Sequence, residues 1–122
     1  MKRDVSNLTN SEIVDRLVEI SVKQGEAIEA FETAKYNRLY DENARLLAEL
    51  RARPGDGRHD LFPLYDHPNY QVRLNAAKWT YALNTPRARA ALANIRDSRW
   101  DPYAGDAGMT LSMIDEGIGR LD

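Results

Sequence analysis

The chain has 122 residues, 43% hydrophobic and 30% charged, with a formal net charge of −2 and no cysteine. A chain of this size buries roughly two-thirds of its unfolded surface without metals or disulfides. The missing cysteine excludes a disulfide framework, a thiolate zinc site, an iron–sulfur site and a cysteine nucleophile together. Neither half carries an excess of Lys and Arg, so the electrostatic footprint of a nucleic-acid binder is weak.

Met1-Lys2-Arg3-Asp4-Val5 leads into polar residues instead of an apolar run. Neither a secretion signal nor a membrane-spanning helix is expected, and the expected location is the cytoplasm. Thr9 with Glu12 three residues on is a capping box. Behind it Ile13, Leu17, Ile20, Ile28 and Phe31 recur at helical spacing and predict one apolar stripe, with Glu12, Asp15, Glu19, Glu26 and Glu29 on other faces. Gly25 marks a bend or weak point. A second helix is predicted over 33–53, with Tyr36, Leu39, Asn43, Leu46 and Leu50 as a seam widened by Tyr40 and Leu47. It should pair with the first. Arg51 and Arg53 complement its negative pole, and Pro54-Gly55-Asp56-Gly57 stops it.

A short helix from Leu61, a tight turn capped by Asn69 and a longer helix over 70–83 come next. That helix carries two apolar seams: Val72, Ala76, Trp79 and Leu83 on one side, Tyr70, Leu74, Ala77 and Tyr81 on nearly the other. One seam is assigned to the C-terminal helices and one to the N-terminal pair, leaving Gln71, Asn75 and Lys78 as an exposed strip. If the Tyr70, Leu74, Tyr81 seam were uncovered, it would favour a homodimer. Thr85-Pro86 starts a helix ending near Asp97, and a last helix is predicted over 104–116, closed by Gly117 and Gly119.

A shift of 31 residues superimposes Leu61 on Leu92, Leu64 on Ile95, Asp66 on Asp97, Ala76 on Ala107, Ala77 on Gly108 and Leu83 on Ile114. This period is close to those of helical-hairpin solenoids. The pattern Leu61-x-x-Leu64-x-Asp66, then Val72-Arg73-x-x-Ala76-Ala77, resembles the HEAT repeat, closely over 61–83 and loosely over 91–114, where Tyr103 and Ala104 replace Val72 and Arg73. From Pro54-Gly55 through Ala104-Gly105-Asp106-Ala107-Gly108-Met109 the chain looks like a family of small uncharacterised bacterial proteins with HEAT-like repeats. The resemblance implies a fold and no activity. The expectation is therefore one all-α domain, a helical hairpin over 9–53 followed by two HEAT-like hairpins over 58–120, as a short α-solenoid or a compact helical bundle.

HEAT-like proteins often bind partners through their second-helix surfaces, which points to Gln71, Asn75 and Lys78 with Asp106, Met109 and Met113 as a protein-binding face. Trp100, in the Ser98-Arg99-Trp100-Asp101-Pro102-Tyr103 connection, is either an interface anchor or a lid on the last hairpin. His59 beside Asp60 and His67 beside Asp66 are the candidates for acid–base or metal chemistry, against turn formation and capping. Arg87, Arg89, Arg96 and Arg99 are the candidates for phosphate contacts, against a solvated helix. No nucleophile elbow, P-loop, zincin or dinucleotide motif occurs. A non-catalytic protein-binding module of regulatory or immunity-like role, without cofactor, is the leading expectation, followed by nucleic-acid binding and then by an enzyme at the histidines.

Overall fold

A computed structural model describes residues 4–122; the polar start read at Met1-Lys2-Arg3 lies outside them. Among the described residues every regular element is helical: α1 (Asn10–Glu29), α2 (Thr33–Ala52), α3 (Tyr70–Trp79), α4 (Thr85–Asp97) and α5 (Tyr103–Asp115), with 3-10 stretches at Val5–Asn7 and Gly57–Asp66. The chain divides into two compact units, one ending at Leu61 and the other running from Phe62 to Asp122.

In the first unit the capping box closes as its sequence dictates. Glu12 N donates to Thr9 Oγ1 at 3.1 Å, and Thr9 N donates to Glu12 Oε1 at 3.0 Å. Helix α1 buries Ile13, Leu17, Ile20, Gln24 and Ala27 in a continuous stripe, and α2 lies against it with Leu39, Asn43, Leu46 and Leu50. Gln24 completes the stripe because Asn43 Nδ2 donates to its Oε1 at 2.8 Å, so an amide stands where the apolar periodicity lapses. Tyr40 lies outside the seam and is exposed.

Phe31 departs from its predicted place. It is 92% exposed with φ of 58°. Helix α1 ends at Glu29, two residues before it, in a Schellman closure: Glu32 N donates to Ala27 O at 2.8 Å and Phe31 N to Ile28 O at 3.1 Å. The residue after the cap must then be left-handed, which turns the ring out of the stripe. At the far end Arg53 donates to Glu49, to Asn10 Oδ1 at 3.0 Å and to the carbonyl of Val5 at 3.2 Å, tying the first 3-10 stretch to the end of α2. Asp56, in the following turn, takes Arg58 Nη2 at 2.7 Å and Arg58 Nε at 3.0 Å. The Arg58 guanidinium holds the Asp56 carboxyl below the usual carboxylate range.

The predicted short helix at Leu61 is a 3-10 stretch containing Pro63, whose missing N–H interrupts α-type bonding. In the second unit α3 starts on Asn69, whose Oδ1 accepts from Val72 N at 3.1 Å. The helix predicted over 70–83 stops at Trp79: Thr80 Oγ1 donates to Ala76 O at 2.7 Å, and Leu83 N closes a turn on Thr80 O at 2.9 Å. Asn84, not Thr85, caps α4, accepting from Arg87 N at 3.3 Å with Pro86 in the first turn. Thr85 instead donates its hydroxyl to Tyr81 O.

Helices α4 and α5 pack as a hairpin and α3 lies against both. Their core joins Leu74, Ala77 and Tyr81 to Ala88, Leu92, Ile95, Tyr103, Ala107 and Leu111, with Tyr65 and Tyr70 packed against it. The Tyr70, Leu74, Tyr81 seam is thus core, which removes the reason for the homodimer drawn from it. Val72 and Ala76, on the other seam, are also buried, whereas Trp79 is only half-buried. Helix α5 ends in a second Schellman closure, Ile118 N on Met113 O at 2.9 Å, here with Gly117 in the left-handed position at φ 73°.

Candidate functional site

Helix α5 turns Ala104, Ala107 and Leu111 inward, which leaves Asp106, Met109, Thr110 and Met113 on one outward face at i, i+3, i+4 and i+7. Met109 is 66% and Met113 39% exposed. Lys78, at the end of α3, reaches this face and donates its Nζ to Asp106 Oδ1 at 2.7 Å, while Thr110 Oγ1 donates to the same oxygen at 3.2 Å. The structure therefore brings together Lys78, Asp106, Met109 and Met113 of the residues expected to form a binding face.

Gln71 and Asn75 do not belong to that surface. Both are buried, at 3% and 8% exposure. They lie one turn apart on α3, and Gln71 Nε2 donates to Asn75 Oδ1 at 2.9 Å. Residue type places polar side chains in solvent, but an i, i+4 amide pair satisfies part of its own hydrogen bonding and can be carried inward. Gln71 Oε1 has no hydrogen-bond partner among the described residues.

Trp100 is 58% exposed, and its ring stacks on Tyr70 at 6.5 Å between centroids; Tyr70 also stacks on Tyr103 at 6.0 Å. One face of the Trp100 ring rests on Tyr70 of α3, and the remainder faces solvent.

Each histidine stitches its own turn. His59 Nδ1 lies 2.8 Å from Asp56 O, and His67 Nδ1 accepts from Asn69 N at 3.0 Å. Among the described residues no three His, Asp or Glu side chains are grouped so as to hold a metal ion. The arginines expected as a phosphate-binding group are dispersed. Arg89 pairs with Asp115 at 3.0 Å and donates to Tyr81 Oη, Arg96 pairs with Asp97 at 2.9 Å, and Arg99 lies beyond α4 at φ 60°.

Arg87 goes elsewhere. Its guanidinium lies over the rings of Phe62 at 4.6 Å and Tyr65 at 5.4 Å, on the flank of α4 away from Arg89 and Arg96. There a groove of about 390 Å³ is lined by Tyr65, Asp66, Arg73, Arg87, Ala90, Ala91, Asn94 and Ile95. Arg73 lies over Tyr70 at 4.7 Å and donates its Nε to His67 O. Thr80 spends its one hydroxyl proton on Ala76 O, so Tyr65 Oη is the donor in their mutual bond. Burial pushes the Tyr65 phenol up, against the opposing charge of Arg87. In the sequence Arg73 belongs to the repeat pattern, and only the fold brings it to the same groove as Arg87.

No helix among the described residues is long and apolar enough to cross a membrane. Comparison with curated proteins gave no match. Among solved structures, the chain is similar to the crystal structure of the protein RPA1889 from Rhodopseudomonas palustris CGA009, with 39% identity and a TM-score of 0.93 over 99% of this chain and 100% of that one. A family model described as a domain of unknown function, DUF2019, matches residues 11–115, and the chain belongs to that family.

Proposed function

We propose that the chain is a non-catalytic protein-binding module, with α5 as its principal contact element. The observation that carries this reading is the outward pairing of Met109 and Met113 beside the Lys78–Asp106 bridge. Unbranched thioether side chains adapt to a partner's relief, and a polar pair at their edge supplies orientation. Trp100 is a second anchor on the same unit, with its ring already oriented by Tyr70. This is the manner in which a HEAT-like array presents its second helices, and a regulatory or immunity-like role in the cytoplasm suits it.

The test is affinity capture from a lysate of the encoding organism, with and without nuclease, comparing the natural chain with a Lys78→Glu, Met109→Asp variant. The expected result is a protein retained by the natural chain, insensitive to nuclease and lost in the variant. Retention that vanishes with nuclease, or that the variant leaves intact, overturns the reading.

A further inference from the structure

The groove on the free flank of α4 is a different surface from the α5 face. Helix α4 buries Ala88, Leu92 and Ile95, and turns Arg89 toward Asp115 of α5. Its remaining flank, Arg87, Ala90, Ala91 and Asn94, recurs at i, i+3, i+4 and i+7 along about 10 Å of helix axis. The two alanines form a low floor between Arg87 and Asn94, which lets an extended backbone approach closely.

Two features give this floor a chemical preference. Arg73 and Arg87 are the two arginines that lie over aromatic rings among the described residues, and neither makes an ion pair with a carboxylate there. A guanidinium resting on a ring keeps its in-plane N–H groups for a planar oxyanion while the ring fixes its orientation; Arg73 has spent its Nε on His67 O and offers its Nη groups. Asp66 also lines the groove and offsets one of the two positive charges. An occupant matched to this lining would be singly charged at its contact point and carry apolar groups for Tyr65, Ala90 and Ala91.

We infer that this groove receives an extended acidic segment of a protein partner, with a Glu or Asp carboxylate held by Arg73 and Arg87 and flanking apolar residues laid along Ala90 and Ala91. The inference rests on the reading of the chain as a protein-binding module and adds a second contact with a stated charge.

The experiment is an NMR titration of the whole chain, following the arginine Nε–Hε resonances and the amides of α4, with three probes: acetyl-Ala-Leu-Glu-Leu-Ala-amide, its glutamine counterpart, and inorganic phosphate. The acidic peptide is expected to move Arg73, Arg87 and the amides at 90–94 saturably, while the glutamine peptide binds at least about tenfold more weakly, the equivalent of one charge-assisted hydrogen bond. Arg87→Gln should weaken the acidic peptide by a similar factor, and Arg89→Gln should not. Absence of shifts at Arg73 and Arg87 in the natural chain overturns the inference, as does equal binding of the two peptides. A response to phosphate alone also overturns it and makes the groove a small-anion site. None of these outcomes touches the α5 face, whose failure is read separately by the capture experiment.

Discussion

Lys78 Nζ and Asp106 Oδ1 meet at 2.7 Å, linking the last turn of α3 to the first turns of α5. Their side chains are 28% and 44% exposed, in the range where an ion pair contributes little to stability. Lys78→Gln, which removes the pair without setting a second carboxylate beside Asp106, is expected to lower the unfolding free energy by no more than about 1 kcal/mol. Thermal unfolding followed by circular dichroism checks this, and a much larger loss would mean that the pair is structural.

Asp56 and Arg58 form a contrasting pair, since the Arg58 side chain is only 5% exposed. The Asp56 pKa is lowered in the fold, chiefly by the Arg58 hydrogen bond. Its contribution is therefore present above the unfolded carboxylate pKa, about 3.9, and is lost as pH falls through the lower folded value. Asp56→Asn keeps a residue tolerant of the left-handed φ of 61° while removing the charge. It should cost about 1–3 kcal/mol at pH 7, with the difference from the natural chain shrinking below pH 4. Denaturant titrations across pH measure both; a difference independent of pH would contradict the assignment.

The two Schellman closures differ in one residue. Gly117 occupies the left-handed position after α5, whereas Phe31 occupies it after α1. A side chain there costs roughly 1–2 kcal/mol, part of which glycine returns through its freer unfolded state. Phe31→Gly is expected to stabilise the chain by about 0.5–1 kcal/mol. A lower melting temperature for this variant would show that the exposed ring makes a stabilising contact.

Gly57 and Gly108 respond in opposite directions to an added methyl. At Gly57 a Cβ would lie 2.6 Å from Leu50 O and 2.7 Å from Leu50 Cδ1, so Gly57→Ala forces backbone apart and should cost about 1–3 kcal/mol. At Gly108, inside α5, it would meet only the flexible Arg96 side chain at 3.4 Å. Gly108→Ala should gain about 0.5–1 kcal/mol from helix propensity. Unfolding free energies of the two variants check the contrast.

The helices were legible because capping and periodicity are local. Thr9–Glu12, Asn69 and Pro86 fix starts within the residues that surround them. Ends that depend on a side chain bonding its own backbone were harder: Thr80 closes α3 early, and Phe31 adopts a conformation that its type disfavours. At the candidate site, Lys78, Asp106, Met109 and Met113 are expected together from the 31-residue shift and the HEAT-like resemblance, and the fold brings them onto one face. Gln71 and Asn75 are not on it, and residue type alone does not reveal that two amides bond each other and go inside. Arg73 and Arg87 meet the groove from separate helices, a juxtaposition that exists only after folding.

The measurement that most directly tests the binding face is hydrogen exchange of the chain with and without the protein it captures. Strong added protection over 103–115, centred on the turn of Met109 and Met113 and abolished by Met109→Asp, is the predicted result. Protection confined to α1 and α2, with exchange in α5 unchanged, would contradict it.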